Sequence, residues 1–186
     1  MNLSGLLALL DKSTQFAELL ASLEARGLES RLAILEAAKP FIVAALQRRL
    51  RVPIIVLVAR PERAKAIFDQ LHVWLADADG LRLFPEPDAL GYERVAWDRS
   101  TIRDRLDVLS LLQSRKQSVD ALPPLIIACA QAVMQKTMAP ETFSALSHTI
   151  KRGQTIDLSQ LLLTWLQMGF EPATTVDMPG TFSRRG

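Results

Sequence analysis

Residues 54–71 read IIVLVARPERAKAIFDQL, and the change of rhythm inside this stretch decides the fold. Ile54 to Val58 is β-branched and uncharged, the pattern of a strand covered on both faces. A helix then begins near Pro61 and lines up Ala64, Ile67, Phe68, Leu71 and Leu75 on one apolar stripe. A buried strand that hands over to an amphipathic helix is the opening half of a strand–helix–strand unit.

The next pieces repeat that alternation. LRLF (Leu81 to Phe84) reads as a second strand, and PLIIACA (Pro124 to Ala130) as a third. Between them Ser100 or Thr101 is placed to cap a helix whose buried stripe is Ile102, Leu106 and Leu109. Strand, helix, strand, helix, strand predicts an α/β fold, a parallel sheet with helical crossovers, over residues 1–135. Upstream, leucines at mixed spacing from Leu3 to Ala25 predict two short helices, interrupted near Asp11 to Thr14 and closed by Gly27. Phe41, Ile42, Ala45, Leu46 and Leu50 predict another, with Pro40 in its first turn. Arg48, Arg49 and Arg51 cluster at its end, where the helix dipole favours cations.

The pattern changes after residue 135. Pro140 and Glu141 open a short helix, and HTIKRGQTIDL (148–158) reads as a strand or a turn containing Gly153. Asp157 and Gln160 predict a capping box for a helix carrying Leu161, Leu162, Trp165 and Leu166, with Gly169 at its C-terminal end. ATTVDM and TFSRR predict two strands around the Pro179–Gly180 turn. One helix and two or three strands make a small core, so residues 136–186 are expected to be the first part of a truncated α+β domain.

Composition narrows the classes of function. In 186 residues, 49% hydrophobic, 22 Lys and Arg face 20 Asp and Glu, and a net charge of +2 attracts polyanions only weakly. Cys129 is the single cysteine, so no intrachain disulfide forms and a reducing cytoplasm is expected. Apolar runs such as Ile54 to Val58 are far too short to span a bilayer, and no membrane association is expected.

A parallel α/β domain raises the question of nucleotide binding. A phosphate loop ahead of the helix at Pro40 needs successive free backbone N–H groups, a Lys, and a Ser or Thr for magnesium. The residues there are ILEAAKPF (34–41). Lys39 is present, but Leu35 to Ala38 supply no glycine, and Pro40 replaces the hydroxyl residue while removing an N–H. No cofactor is therefore expected, Lys39 being the remnant of a degenerate loop. His72 reads as an exposed helix residue, Cys129 as core, and His148 lacks the sequence-near partners of a zinc site. Glu86, Asp88 and Glu93 form an acidic loop with no catalytic pairing, and Tyr92 and Trp97 are loop aromatics that either pack back or face a partner. No catalytic or metal site is expected.

These residues, in this order, resemble a known family. The succession IIVLVARPERAKAIFDQL, LRLFPEPDALGYERVAWDRSTIRDRLDVL, PLIIACAQAVMQKTMAP and IKRGQTIDLSQLLLTWLQMGFEPATTVDMPGTFSRRG covers nearly the whole chain. It resembles the N-terminal module of the bacterial transcription-repair coupling factors, the Mfd family, which is itself similar to the UvrB protein of the UvrABC excinuclease. FPEPDALGYE, KRGQTIDL and the GTF-x-x-RG ending are the most specific parts.

The resemblance implies a helicase-like domain that has lost motor function, followed by a domain that binds the excinuclease protein UvrA in DNA repair. The segment from Pro85 to Asp98 is short where UvrB inserts a DNA-gripping hairpin, which favours the coupling factor over a UvrB-like, ATP-dependent damaged-DNA-binding enzyme. By the same resemblance Arg185 matches a partner-contacting arginine. Ser183 and Pro172 stand where arginines are expected, and Arg184 is a compensating candidate. Arg152 is a further candidate, and Phe182 is either an interface anchor or the inward residue of its strand. The implied chain is a non-catalytic scaffold, joined to the other domains of a full-length factor that alone would contact RNA polymerase and DNA. An interrupted strand at its end predicts self-association through an unpaired edge.

Overall fold

The computed structural model describes residues 2–25, 30–87, 97–114 and 123–184. Helices are α1 (Thr14–Glu24), α2 (Lys39–Leu50), α3 (Pro61–Trp74), α4 (Arg99–Ser114), α5 (Ala130–Met134), α6 (Pro140–Ala145) and α7 (Leu158–Gln167). Strands are β1 (Ile54–Val58), β2 (Leu81–Phe84), β3 (Leu125–Cys129), β4 (Glu171–Pro172) and β5 (Thr181–Phe182). The chain divides into two units, one of residues 1–86 with 108–135 and one of residues 87–107 with 136–186, so the division falls inside α4.

The first unit is built on a parallel sheet in the order β1-β3-β2, Val56 and Leu83 both lying beside Ile127. The α/β fold expected from the alternation is the one observed. β3 is central, and all five of its residues are buried. α3 packs against all three strands and α2 against α3, with Phe41 and Trp74 in ring contact at 4.9 Å. Ala64, Ile67 and Leu71 of α3 enter the core, as their spacing predicts. Gly80 is required by a close approach: a Cβ there would lie 3.1 Å from the Pro123 carbonyl oxygen, where the chain enters β3.

The sheet corrects one expectation. β1 is an edge strand with alternating burial, and Ile55 and Leu57 are 62% and 56% exposed. Its apolar run looks like a strand covered on both faces, but only Ile54, Val56 and Val58 pack toward the core. The strand covered on both faces is β3, whose five residues, pointing alternately to the two sides of the sheet, are all buried.

Smaller departures have local causes. The leucine-rich start is a 3-10 helix (Ser4–Lys12) followed by α1, whose cap is Ser13, its Oγ accepting from the Phe16 amide. Gly27, the expected stop, lies outside the described residues. Arg48 at the end of α2 has a partner besides the helix dipole, since its guanidinium donates to Asp11 Oδ2 at 2.7 Å. α4 starts earlier than predicted, and its N-cap is Asp98 rather than Ser100 or Thr101. Its buried positions are Thr101, Arg105 and Val108, while Ile102 and Leu106 are exposed.

In the second unit, Asp157 caps α7 as expected, and the half of the expected capping box that is observed is the one made by its carboxylate. Asp157 Oδ1 accepts from the amides of Ser159 and Gln160 at 2.9 and 3.1 Å. At the other end Gly169 takes φ +87, and the amides of Gly169 and Phe170 return to the carbonyls of Leu166 and Trp165 at 3.0 and 2.9 Å. This is a Schellman closure, and the accompanying apolar contact is Trp165 against Phe170. Residues 148–158 form a turn at Gly153 rather than a strand. ATTVDM is also not a strand: it links β4 to β5, which pair in parallel. Pro172 fits there because the ladder bonds come from the amides of Glu171 and Ala173, to Gly180 and Phe182 oxygens, and the missing N–H falls between them.

Candidate functional site

Residues Glu36–Ala38, just ahead of the position where a nucleotide phosphate would sit, form a 3-10 turn that runs directly into α2. The Ala38 amide donates to the Leu35 oxygen at 2.9 Å, and the Lys39 amide to the Glu36 oxygen. Pro40 has no N–H, so three successive positions offer no free backbone donor to a phosphate. The Lys39 ammonium lies 2.5 Å from Glu36 Oε2, and the other Glu36 oxygen pairs with Arg63. The chain's own carboxylate thus answers both nearby cations. These groups are each more than a third exposed, so their pairing is worth little to stability.

In the second unit, Trp165 on α7 is half-buried and gathers three rings. Phe182 of β5 lies 5.4 Å away centroid to centroid, Phe170 6.2 Å and His148 6.3 Å, the last nearly parallel. The Trp165 indole Nε1–H donates to His148 Nε2 at 3.1 Å. Beside this cluster an open depression of about 330 Å³ is lined by His148, Asp157, Gln160, Leu161, Thr164 and Met168. β4 and β5 are held from a distant part of the sequence: the Arg99 guanidinium donates to Glu171 Oε2 at 2.9 Å and to the Pro179 carbonyl at 3.4 Å. Nothing local in the sequence signals this contact, since the partners are 72 residues apart.

The candidate partner residues fall out differently. Phe182 is half-buried against Trp165 and so is the inward residue of its strand. Arg152, in the turn at Gly153, and Arg184, after β5, are exposed. Among the described residues no ion pair or ring contact joins either arginine to the other or to Phe182. Arg185 lies outside the described residues. Ser183, at a position where the resemblance leads one to expect an arginine, donates its hydroxyl to the Thr174 carbonyl at 3.0 Å and helps close the β4–β5 link.

The remaining candidates have structural surroundings. Cys129 is buried, and its sulfur accepts from the Ala132 amide at 3.4 Å and approaches Glu86 at 3.8 Å. His72 is exposed on α3, its Nδ1 3.0 Å from the Phe68 carbonyl oxygen. The Arg105 guanidinium lies over the Trp97 ring at 5.6 Å, so this aromatic packs within its own unit. Asp88, Tyr92 and Glu93 lie outside the described residues. Among the described residues no group of three or more His, Cys, Asp or Glu is arranged to hold a metal, and no helix is long and apolar enough to cross a membrane.

Comparison with known proteins finds two similar sequences of the same description. The chain is 26% identical over 155 residues to a transcription-repair-coupling factor of Myxococcus xanthus, covering 81% of this chain. It is 25% identical over 149 residues to that of Bacillus subtilis, covering 80% of this chain. In both cases the match spans 12% of the relative's length. No family model matches the chain. The sequence is therefore related to one region of the transcription-repair coupling factors.

Proposed function

We propose that this chain serves as a non-catalytic docking body of a transcription-repair coupling factor, recruiting the excinuclease protein UvrA to lesions where RNA polymerase has stalled. The observation that carries the reading is the relationship to coupling factors along four fifths of the chain. Contact with RNA polymerase and translocation on DNA are assigned to other regions of a longer protein. The absence of a free amide at positions 38–40, and the capture of Lys39 by Glu36, support a body without nucleotide chemistry.

The second unit is the proposed partner face. The turn at Gly153 and the segment after β5 leave Arg152 and Arg184 exposed to solvent, with Arg185 adjacent in sequence, and a guanidinium can hold a carboxylate bidentately. Phe182 supports this face from beneath by fixing β5 on Trp165.

Titration of purified UvrA onto the chain tests the proposal. Saturable binding is expected, weakened about tenfold or more by Arg184→Ala or Arg185→Ala. Absence of binding removes the docking function. Binding of unchanged affinity in the Arg152, Arg184 and Arg185 triple alanine variant removes these residues from it.

A further inference from the structure

We propose that Arg99 is a positioning residue for the partner face, a clip that joins β4 to the turn leading into β5. The proposal rests on the docking reading above. One guanidinium nitrogen donates to Glu171 Oε2 at 2.9 Å and the other to the Pro179 carbonyl at 3.4 Å. Glu171 opens β4, and Pro179 and Gly180 lead directly into β5. The same end of the ladder carries the bond from the Glu171 amide to the Gly180 oxygen at 2.9 Å.

The two strands need such a clip. Each has two residues, and a pair that short does not hold its register unaided. Its far end is tied by the Ser183 hydroxyl to the Thr174 carbonyl at 3.0 Å, and Phe182 rests on Trp165. The near end turns at Gly180, whose φ is +82 and around which a Cβ would meet nothing within 4 Å. Packing at that position does not restrain the turn, and Arg99 does.

Arg99 is itself well placed to act as a fixed point. It is the first residue of α4 and follows Asp98, whose Oδ1 caps that helix by accepting from the Ser100 amide at 2.8 Å. Its planar fork serves both acceptors from one side chain. The side chains of Arg99 and Glu171 are 41% and 66% exposed, so their pairing adds little to overall stability. Its effect is on the direction of the chain that leaves β5, and therefore on Arg184 and the adjacent Arg185.

Two measurements on the whole chain test the clip. Amide hydrogen exchange needs no partner. In Arg99→Ala, protection of the Glu171 amide should fall, while the Phe170 amide that closes α7 keeps its protection. Glu171→Gln retains an acceptor oxygen and should keep most of the Glu171 protection. Unchanged exchange at Glu171 in Arg99→Ala overturns the clip. In titrations with UvrA, Arg99→Ala should weaken binding about two- to fivefold, the scale of an exposed ion pair. That loss should shrink in an Arg184→Ala background, because the clip acts through the arginines after β5. An equal loss in that background, or unchanged affinity beside lost protection, overturns the positioning role. If the parent chain does not bind UvrA, the docking reading fails and the positioning role with it, while the exchange measurement still decides the clip.

Discussion

The Lys39 ammonium sits 2.5 Å from the carboxylate of Glu36, three residues earlier in the chain. Glu36 also reaches Arg63 on the neighbouring helix α3, so one carboxylate occupies the position of an anion between two cations. The backbone reinforces this arrangement. The amides of Ala38 and Lys39 are spent inside the 3-10 turn, and Pro40 has none.

Removing the carboxylate should therefore not create a nucleotide site. Isothermal titration with magnesium and ATP is expected to give no saturable heat for the parent chain or for Glu36→Gln. A lysine without a cradle of N–H groups is a point charge, which ATP meets anywhere on a protein surface. Saturable ATP binding that disappears in Lys39→Ala would refute the account.

The sheet makes a second prediction, about which apolar strand residues carry stability. Ile127 at the centre of β3 is fully buried, whereas Leu57 on the edge strand is 56% exposed. Ile127→Ala should cost about 3 kcal/mol, from lost transfer energy and the cavity left behind. Leu57→Ala should change stability by about 0.5 kcal/mol or less, as most surface substitutions do. Urea denaturation of the two variants checks the contrast, and equal losses would mean that β1 is covered on both faces in solution.

The same two strands explain how far the sequence can be read. IIVLV and LIIAC are equally apolar, and both announce a strand of a parallel sheet. Strand order decides which is enclosed, and order is set by long-range pairing that composition does not encode. Local chemistry is more transparent around α7, where the Asp157 cap and the Gly169 closure each need only a few neighbouring residues. The links of Arg99 to Glu171 and of Trp165 to His148 are invisible in the sequence, because each joins segments that spacing alone does not bring together. The α4 cap is hidden by a subtler competition. Asp98, Ser100 and Thr101 are all capping residue types, and the helix begins with the first of them because Ser100 itself donates to Asp98.

Gly169 gives a third prediction. Its φ of +87 places it in the left-handed region, and a Cβ there would meet nothing within 4 Å. Substitution should be penalised by backbone strain alone, so Gly169→Ala is expected to cost about 1 kcal/mol and Gly169→Asn less. The local reading is hydrogen exchange at the Phe170 amide, which closes the helix on the Trp165 carbonyl at 2.9 Å. Undiminished protection at Phe170 in the alanine variant would show that the closure does not depend on glycine.

Asp98 supplies the acid limb of α4. The Ser100 hydroxyl and then the Ser100 amide hold its carboxyl below the ordinary value of 3.8, against a small opposing effect of desolvation. Its folded pKa is depressed, so the unfolded chain takes up the proton first as the pH falls. The stabilisation is complete above about pH 4, where the carboxylate is ionised in both states. It fades as the pH drops from there through the lower folded value. Asparagine retains a capping oxygen but cannot titrate in this range. Asp98→Asn should therefore preserve helix content near neutrality and lose less stability than the parent chain between about pH 4 and 2. Thermal unfolding followed by far-ultraviolet circular dichroism at both ends of that interval makes the comparison, and superimposable acid limbs would exclude Asp98 as the titrating cap.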